Sequence, residues 1–228
     1  MEGLSETLIE ELECETVFTI PLFGGIPVSE AVVVTWIIMA IIVLASFILT
    51  RGLKVRNISK RQAAVEFCYT KLMGMMEGMV GPNGKQYAPY LFTVILYIGI
   101  SNIFGIFGFK SPTKDLRVTA ALALMSIILI QVAGIRKRGI KGWLHSFIEP
   151  IWIVLPINIM ELATKPLSLC MRLFGNVVGA FVIMKLIEFI LPVGLPVIFS
   201  LYFDLFDGLI QAYVFVFLTS LYINEATE

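Results

Sequence analysis

Pro166-Leu167-Ser168-Leu169-Cys170-Met171-Arg172-Leu173-Phe174-Gly175-Asn176 decides the fold, because it carries a guanidinium inside a long apolar stretch. Such a group at the bilayer centre costs about 2.5–3.5 kcal/mol on insertion scales and about 10 or more in simulations of isolated helices. An arginine also stays charged at every physiological pH. A chain that keeps a permanent cation there is read as using it, on a membrane-crossing helix with one polar face.

The rest of the chain agrees with a membrane setting. Its 228 residues are 58% hydrophobic, with a mean hydropathy of +0.90, which excludes an ordinary soluble domain. Seventeen basic and seventeen acidic residues cancel, so net charge does not point to nucleic acid. Cys14, Cys68 and Cys170 are scattered and odd in number, which suggests neither a disulfide framework nor a zinc site. Residues 1–27 begin with Glu2, Glu6, Glu10, Glu11, Glu13 and Glu15, the opposite of a basic leader, so the segment is expected to stay on the chain as an acidic external N-terminus.

Outward from Arg172, apolar runs and basic loops set the topology. Residues 28–50 are long enough to span a hydrocarbon core of about 30 Å. Arg51, Lys54, Arg56, Lys60 and Arg61 follow directly and by the positive-inside rule stay in the cytoplasm, leaving the N-terminus outside. Over residues 61–80, Val65, Tyr69, Leu72 and Met76 fall on one stripe, the pattern of an amphipathic helix at the membrane interface. Residues 87–135 read as a helical hairpin, with spans from about Tyr87 to Phe109 and from about Val118 to Ile135. Its outer turn contains Lys110, Lys114 and Arg117, against the simple charge rule, whereas Arg136, Lys137, Arg138 and Lys141 obey it on the inner side. The segment from Trp143 to Leu155 reads as interfacial or re-entrant. Residues 156–224 form a second, longer hairpin, whose first arm exceeds the ~20 residues that a perpendicular crossing needs and must tilt or bend. The expected fold is an all-α polytopic membrane protein in one domain. It has about five crossing helices and an interfacial helix, the last two crossings long, tilted and antiparallel, with the C-terminus cytoplasmic.

At 100° per residue, Glu161, Lys165, Ser168, Arg172, Asn176 and Gly179 share a face, and so do Asp204, Asp207, Gly208 and Gln211. Antiparallel packing is expected to bring the two stripes together, with Arg172 near Gln211. The plain alternative is a structural ion pair of Arg172 with Asp204 or Asp207. A fixed cation also favours the ionised form of a carboxylate brought close to it in a dry environment, so a carboxylate moving past Arg172 would shed a proton on approach and recover it on departure.

Pro156-Ile157-Asn158 with Glu161, Thr164-Lys165-Pro166-Leu167-Ser168-Leu169, Arg172-Leu173-Phe174-Gly175-Asn176, and Gln211-Ala212-Tyr213 with Phe215 resemble subunit a of the F-type rotary ATP synthase. Ser101-Asn102 and Pro112-Thr113 with Asp115 are similar to that family too. The resemblance implies a non-catalytic stator with two offset half-channels for protons, or sodium ions, beside a rotating ring of subunit c. It implies subunit b of the peripheral stalk, the other ATP synthase subunits and the lipid bilayer as further partners, with no cofactor and no metal. Arg172 matches the family's essential arginine, and Asn176 and Gln211 match polar positions beside it. Where many members place a carboxylate or histidine nine residues after the arginine, this chain has Phe181; seven before the glutamine it has Asp204. Asp204, helped by Asp207 or Glu188, is therefore expected to supply the outer protonatable group. A bacterial plasma membrane is the expected location. An unrelated secondary transporter or channel is the competing class, but two related halves are not visible. A membrane enzyme would need a nucleophile with a base or a metal motif, and the only histidine is His145 beside the basic loop.

Overall fold

The computed structural model describes residues 16–20, 26–54, 58–106, 111–147, 152–190 and 195–227. Thr16–Ile20 (β1) and Ile26–Ser29 (β2) pair antiparallel, with Thr16 opposite Ser29 and Ile20 opposite Ile26. This hairpin lies at the edge of what the sequence reading treated only as an acidic tail. The β-branched run Thr16-Val17-Phe18-Thr19-Ile20 carried the signal.

Helix α1 (Glu30–Thr50) starts after Ser29, whose hydroxyl turns away from its own helix end and donates to Asp115 Oδ2 at 2.9 Å. Helix α2 (Lys60–Val80) is capped by Ser59, whose Oγ accepts from the Gln62 amide, and stops at Gly81, held at φ 74°. A 3₁₀ turn at Lys85–Tyr87 leads into α3 (Ala88–Ile106), and another at Pro112–Lys114 leads into α4 (Leu116–Ser146). Asp115 caps α4 by accepting from the Arg117 amide at 2.8 Å. Within α4, Gly139 adopts φ 73°, and Trp143 Nε1 reaches Gln131 Oε1 at 2.9 Å. Twelve residues of straight helix would separate these groups by about 18 Å, so the chain doubles back at the glycine. The third crossing thus extends a turn past the expected Ile135 and then folds onto itself.

Helix α5 (Leu155–Ile190) is unbroken over 36 residues despite Pro166. At ~1.5 Å per residue it is about 54 Å long, so it tilts steeply or projects beyond a ~30 Å hydrocarbon layer. The last arm comprises α6 (Leu195–Ser200), π-helical turns over Leu201–Asp207, and α7 (Gly208–Thr227). Among the described residues, five helices are long and apolar enough to cross a membrane.

Helix α7 lies against α3 and α4, and α5 lies along α4. Phe215, Val216 and Ile223 of α7 are fully buried with Leu91 and Ile98 of α3, while Leu169 and Leu173 anchor α5. In lipid such packing rests on close van der Waals contact and interhelical hydrogen bonds, for example Tyr90 Oη with Ser126 Oγ at 2.9 Å. On the α2 stripe Met76 is fully buried, Val65 and Leu72 are half-buried, and Tyr69, though exposed, meets the Phe92 ring of α3 edge-on at 5.4 Å.

Two bonds fix the direction of the final hairpin. Lys165 Nζ meets Glu225 Oε1 at 2.9 Å, and Asn176 Nδ2 donates to Asp207 Oδ2 at 2.6 Å. Rising numbers on α5 pair with falling numbers on the last arm, so the two are antiparallel as expected.

Candidate functional site

Arg172 stands on the open side of α5. Leu169 and Leu173, about 60° and about 100° round the helix from it, are buried, whereas Ser168, Arg172, Gly175 and Gly179, which lie within about 60° of one another, are exposed. A Cβ built on Gly175 or on Gly179 meets nothing within 4 Å. The helix therefore presents a cation flanked by small residues to its surroundings, with room for another helix to come close. Among the described side chains none forms an ion pair or hydrogen bond with Arg172. Asp207 accepts from Asn176 instead, which removes it as the structural counter-ion of Arg172.

The two polar stripes do meet, one turn beyond the arginine, through Asn176 and Asp207. No hydrogen bond joins Arg172 to Gln211. Gln211 is 7% exposed, and its Nε2 has no protein partner, so a donor waits unsatisfied inside the bundle. The π-helical turns alter the geometry that put Asp204 on the same face. A wider turn rotates less per residue than the 100° of an α-helix, so spacing at the α-helical period does not carry across Leu201–Asp207. The side chain of Asp204 lies outside the described residues. Such turns often accompany functional sites.

Gly208 directly follows those turns, and the space where its Cβ would stand is taken. An added Cβ would lie 2.7 Å from Asn102 Cβ, and Asn102 Nδ2 donates to Gly208 O at 2.9 Å. From Asn102 a buried polar chain runs on: Thr113 Oγ1 donates to Asn102 Oδ1 at 3.1 Å, and Ser111 Oγ lies 2.7 Å from Thr113 Oγ1. The sequence marked Ser101-Asn102, Thr113 and Asp115 only as family-like residues. That Asn102 bonds the backbone of the last arm, with Thr113 and Ser111 behind it, was not readable, because Asn102 and Gly208 are 106 positions apart.

The remaining predicted residues lie toward the helix ends. Glu188 is exposed and pairs with Lys185 at 3.4 Å. Phe181 lies under two cations, with Lys114 Nζ 4.2 Å and Lys185 Nζ 5.9 Å from its ring centre. The position at which the resemblance implies a carboxylate or histidine is thus filled by an aromatic ring that holds a lysine of the turn before α4. At the other end Glu161 meets Lys165 at 3.1 Å, and Lys165 also bridges to Glu225. Glu161 is about 16 Å along the axis from Arg172, too far for direct contact. Among the described residues no three His, Cys, Asp or Glu side chains gather as a metal site would require.

With this geometry stand the comparisons with known proteins. The ATP synthase A chain family matches residues 32–224. ATP synthase subunit a of Moorella thermoacetica is 38% identical, covering 88% of this chain and 91% of its own length. ATP synthase subunit a 2 of a Bradyrhizobium species is 34% identical over 89% of this chain and 91% of its own. The sodium-ion-specific ATP synthase subunit a of Propionigenium modestum is also 34% identical, over 88% of this chain and 74% of its own.

Proposed function

This chain belongs to the ATP synthase A chain family, and from that premise we propose that Arg172 faces a ring of c subunits and keeps their membrane carboxylates ionised as they pass. The chain is an ion-translocating, non-catalytic, multi-pass membrane subunit of the ATP synthase. The observation that carries the proposal is the exposure of Arg172, without a described counter-ion, beside open space at Gly175 and Gly179. A cation serving only to stabilise the bundle would be buried with its partner, since an unpaired intramembrane charge costs several kcal/mol. Here the partner is supplied from outside the chain.

Ions reach and leave this face through two offset half-channels. The outer one uses Asp207 with Asn176, together with Asp204 and Glu188, and passes Gln211, whose free Nε2 can hold a water or an approaching carboxylate. The inner one uses Ser168 and Glu161, the polar positions of α5 on the other side of Arg172. A ring carboxylate gives up its ion to one half-channel as it nears the guanidinium, because the nearby cation stabilises the charged form, and takes up another from the second half-channel as it moves away. The fixed charge also blocks a cation from slipping directly between the half-channels. The carried ion is a proton or a sodium ion. Subunit b of the peripheral stalk holds the chain against rotation, and the complex sits in a bacterial plasma membrane with the N-terminus outside and the C-terminus in the cytoplasm.

The test is ion transport coupled to ATP synthesis in proteoliposomes carrying the assembled complex, wild type against Arg172→Ala, at several sodium concentrations. Loss of coupled synthesis with intact assembly is expected, and the sodium dependence of wild type names the ion. Normal coupling in the variant would return Arg172 to a structural role.

A further inference from the structure

We propose that the corner between α1 and α2 is a binding site for the headgroups of anionic phospholipids. Arg51, Lys54, Lys60 and Arg61 are all exposed there, and among the described residues no carboxylate pairs with any of them. Gln62, 9% exposed, accepts from the Lys54 amide at 3.0 Å and donates to the Lys54 carbonyl at 2.9 Å, which clamps Lys54 onto the first turn of α2. Its Nε2 also donates to Glu66 Oε1 at 2.7 Å, so the nearest carboxylate is occupied. The first turn of α2 has no acid, and the cations there add to the positive end of the helix dipole, so the four charges repel until an anion joins them.

Apolar surface at the same level selects a bilayer lipid over a soluble acidic partner. The last turns of α1 expose Val43 at 68%, Leu44 at 62% and Phe47 at 62%, and Phe67 of α2 is 67% exposed. The guanidinium of Arg51 lies 5.9 Å from the ring centre of Phe47, joining the charged and apolar parts. A phospholipid satisfies both, with phosphate on the cations and acyl chains along α1. The positive-inside rule accounts for the side of the membrane on which these charges sit, but not for the clamp that gathers them.

Cys68 provides the reporter. It is exposed and lies seven residues after Arg61, on the same face two turns along α2. A bimane is attached to Cys68 in the assembled complex, its other reactive thiols replaced, and the complex is placed in liposomes. Quenching is compared between phosphatidylglycerol and phosphatidylcholine that carry the same nitroxide near the glycerol, at equal mole fractions. A several-fold preference for the anionic quencher is expected. It should vanish in the Arg51→Gln, Lys54→Gln, Lys60→Gln, Arg61→Gln variant and weaken in Gln62→Leu, which keeps all four charges but loses the clamp. Equal quenching by the two lipids in wild type, or an unchanged preference in the fourfold variant, overturns the proposal. A label quenched by both lipids in the isolated chain but by neither in the complex assigns the corner to a protein partner. Loss of the preference on adding excess glycerol phosphate assigns it to a soluble anion.

Discussion

Gly208→Ala tests the close contact of α7 with α3, and Gly175→Ala and Gly179→Ala test the open face of α5. The new Cβ would lie 2.7 Å from Asn102 Cβ, whereas ordinary contact begins at 3.4 Å, so α3 and α7 must part locally by about 0.7 Å, the difference between the two. That shift would stretch the Asn102–Gly208 hydrogen bond from 2.9 Å to about 3.6 Å, outside bonding range. Overpacking costs about 1–3 kcal/mol. A lost interhelical hydrogen bond in a membrane protein adds about 0.6–1.7. The expected loss is about 1.6–4.7 kcal/mol, a fall of about fifteenfold to three-thousandfold in the ratio of folded to unfolded chain. Gly175→Ala and Gly179→Ala meet no atom within 4 Å and gain helix propensity, so they should leave the chain as stable as before or up to about 1 kcal/mol more stable. Their cost should appear only in the assembled complex, as slower coupled transport. Denaturant titration of the full chain in mixed micelles measures the first effect, and ATP-driven ion pumping in proteoliposomes the second. A stable Gly208→Ala chain would refute the close α3–α7 contact, and destabilised Gly175→Ala and Gly179→Ala chains would refute the open face.

Further perturbations address the polar groups. Asp207→Leu strands the Asn176 amide and should slow ion uptake from the outer side by at least about tenfold, whereas Asp207→Asn keeps an acceptor and should preserve stability while losing uptake; equal uptake by both variants and wild type would remove Asp207 from the path. Asp204→Asn combined with Glu188→Gln should abolish coupled ATP synthesis in proteoliposomes, and retained transport would exclude these two as the outer protonatable groups. Ser29→Ala leaves the buried Asp115 Oδ2 without its donor and should cost about 1–3 kcal/mol in the same micelle titration, while Glu225→Gln, which weakens an exposed ion pair, should cost under about 1 kcal/mol.

The sequence by itself determined the crossings, the polar stripe around Arg172 and the antiparallel final hairpin, because hydrophobic length and helical period are local properties that survive into any packing. Glu161, Ser168, Arg172 and Asn176 could be placed on one face from spacing alone, since α5 is unbroken. Where the period itself changes, that reasoning fails: the chain is π-helical over Leu201–Asp207, and nothing in the composition there announces it. Only the tertiary structure decided which side of each helix is covered. Leu169 and Met171 are equally apolar, yet one packs inside and the other faces out, because in a membrane both surroundings are hydrocarbon and burial leaves no mark in the pattern. Long-range partners, Asp207 for Asn176, Asp115 for Ser29 and Lys114 over Phe181, follow from how the helices are brought together, and no periodicity along one helix encodes them.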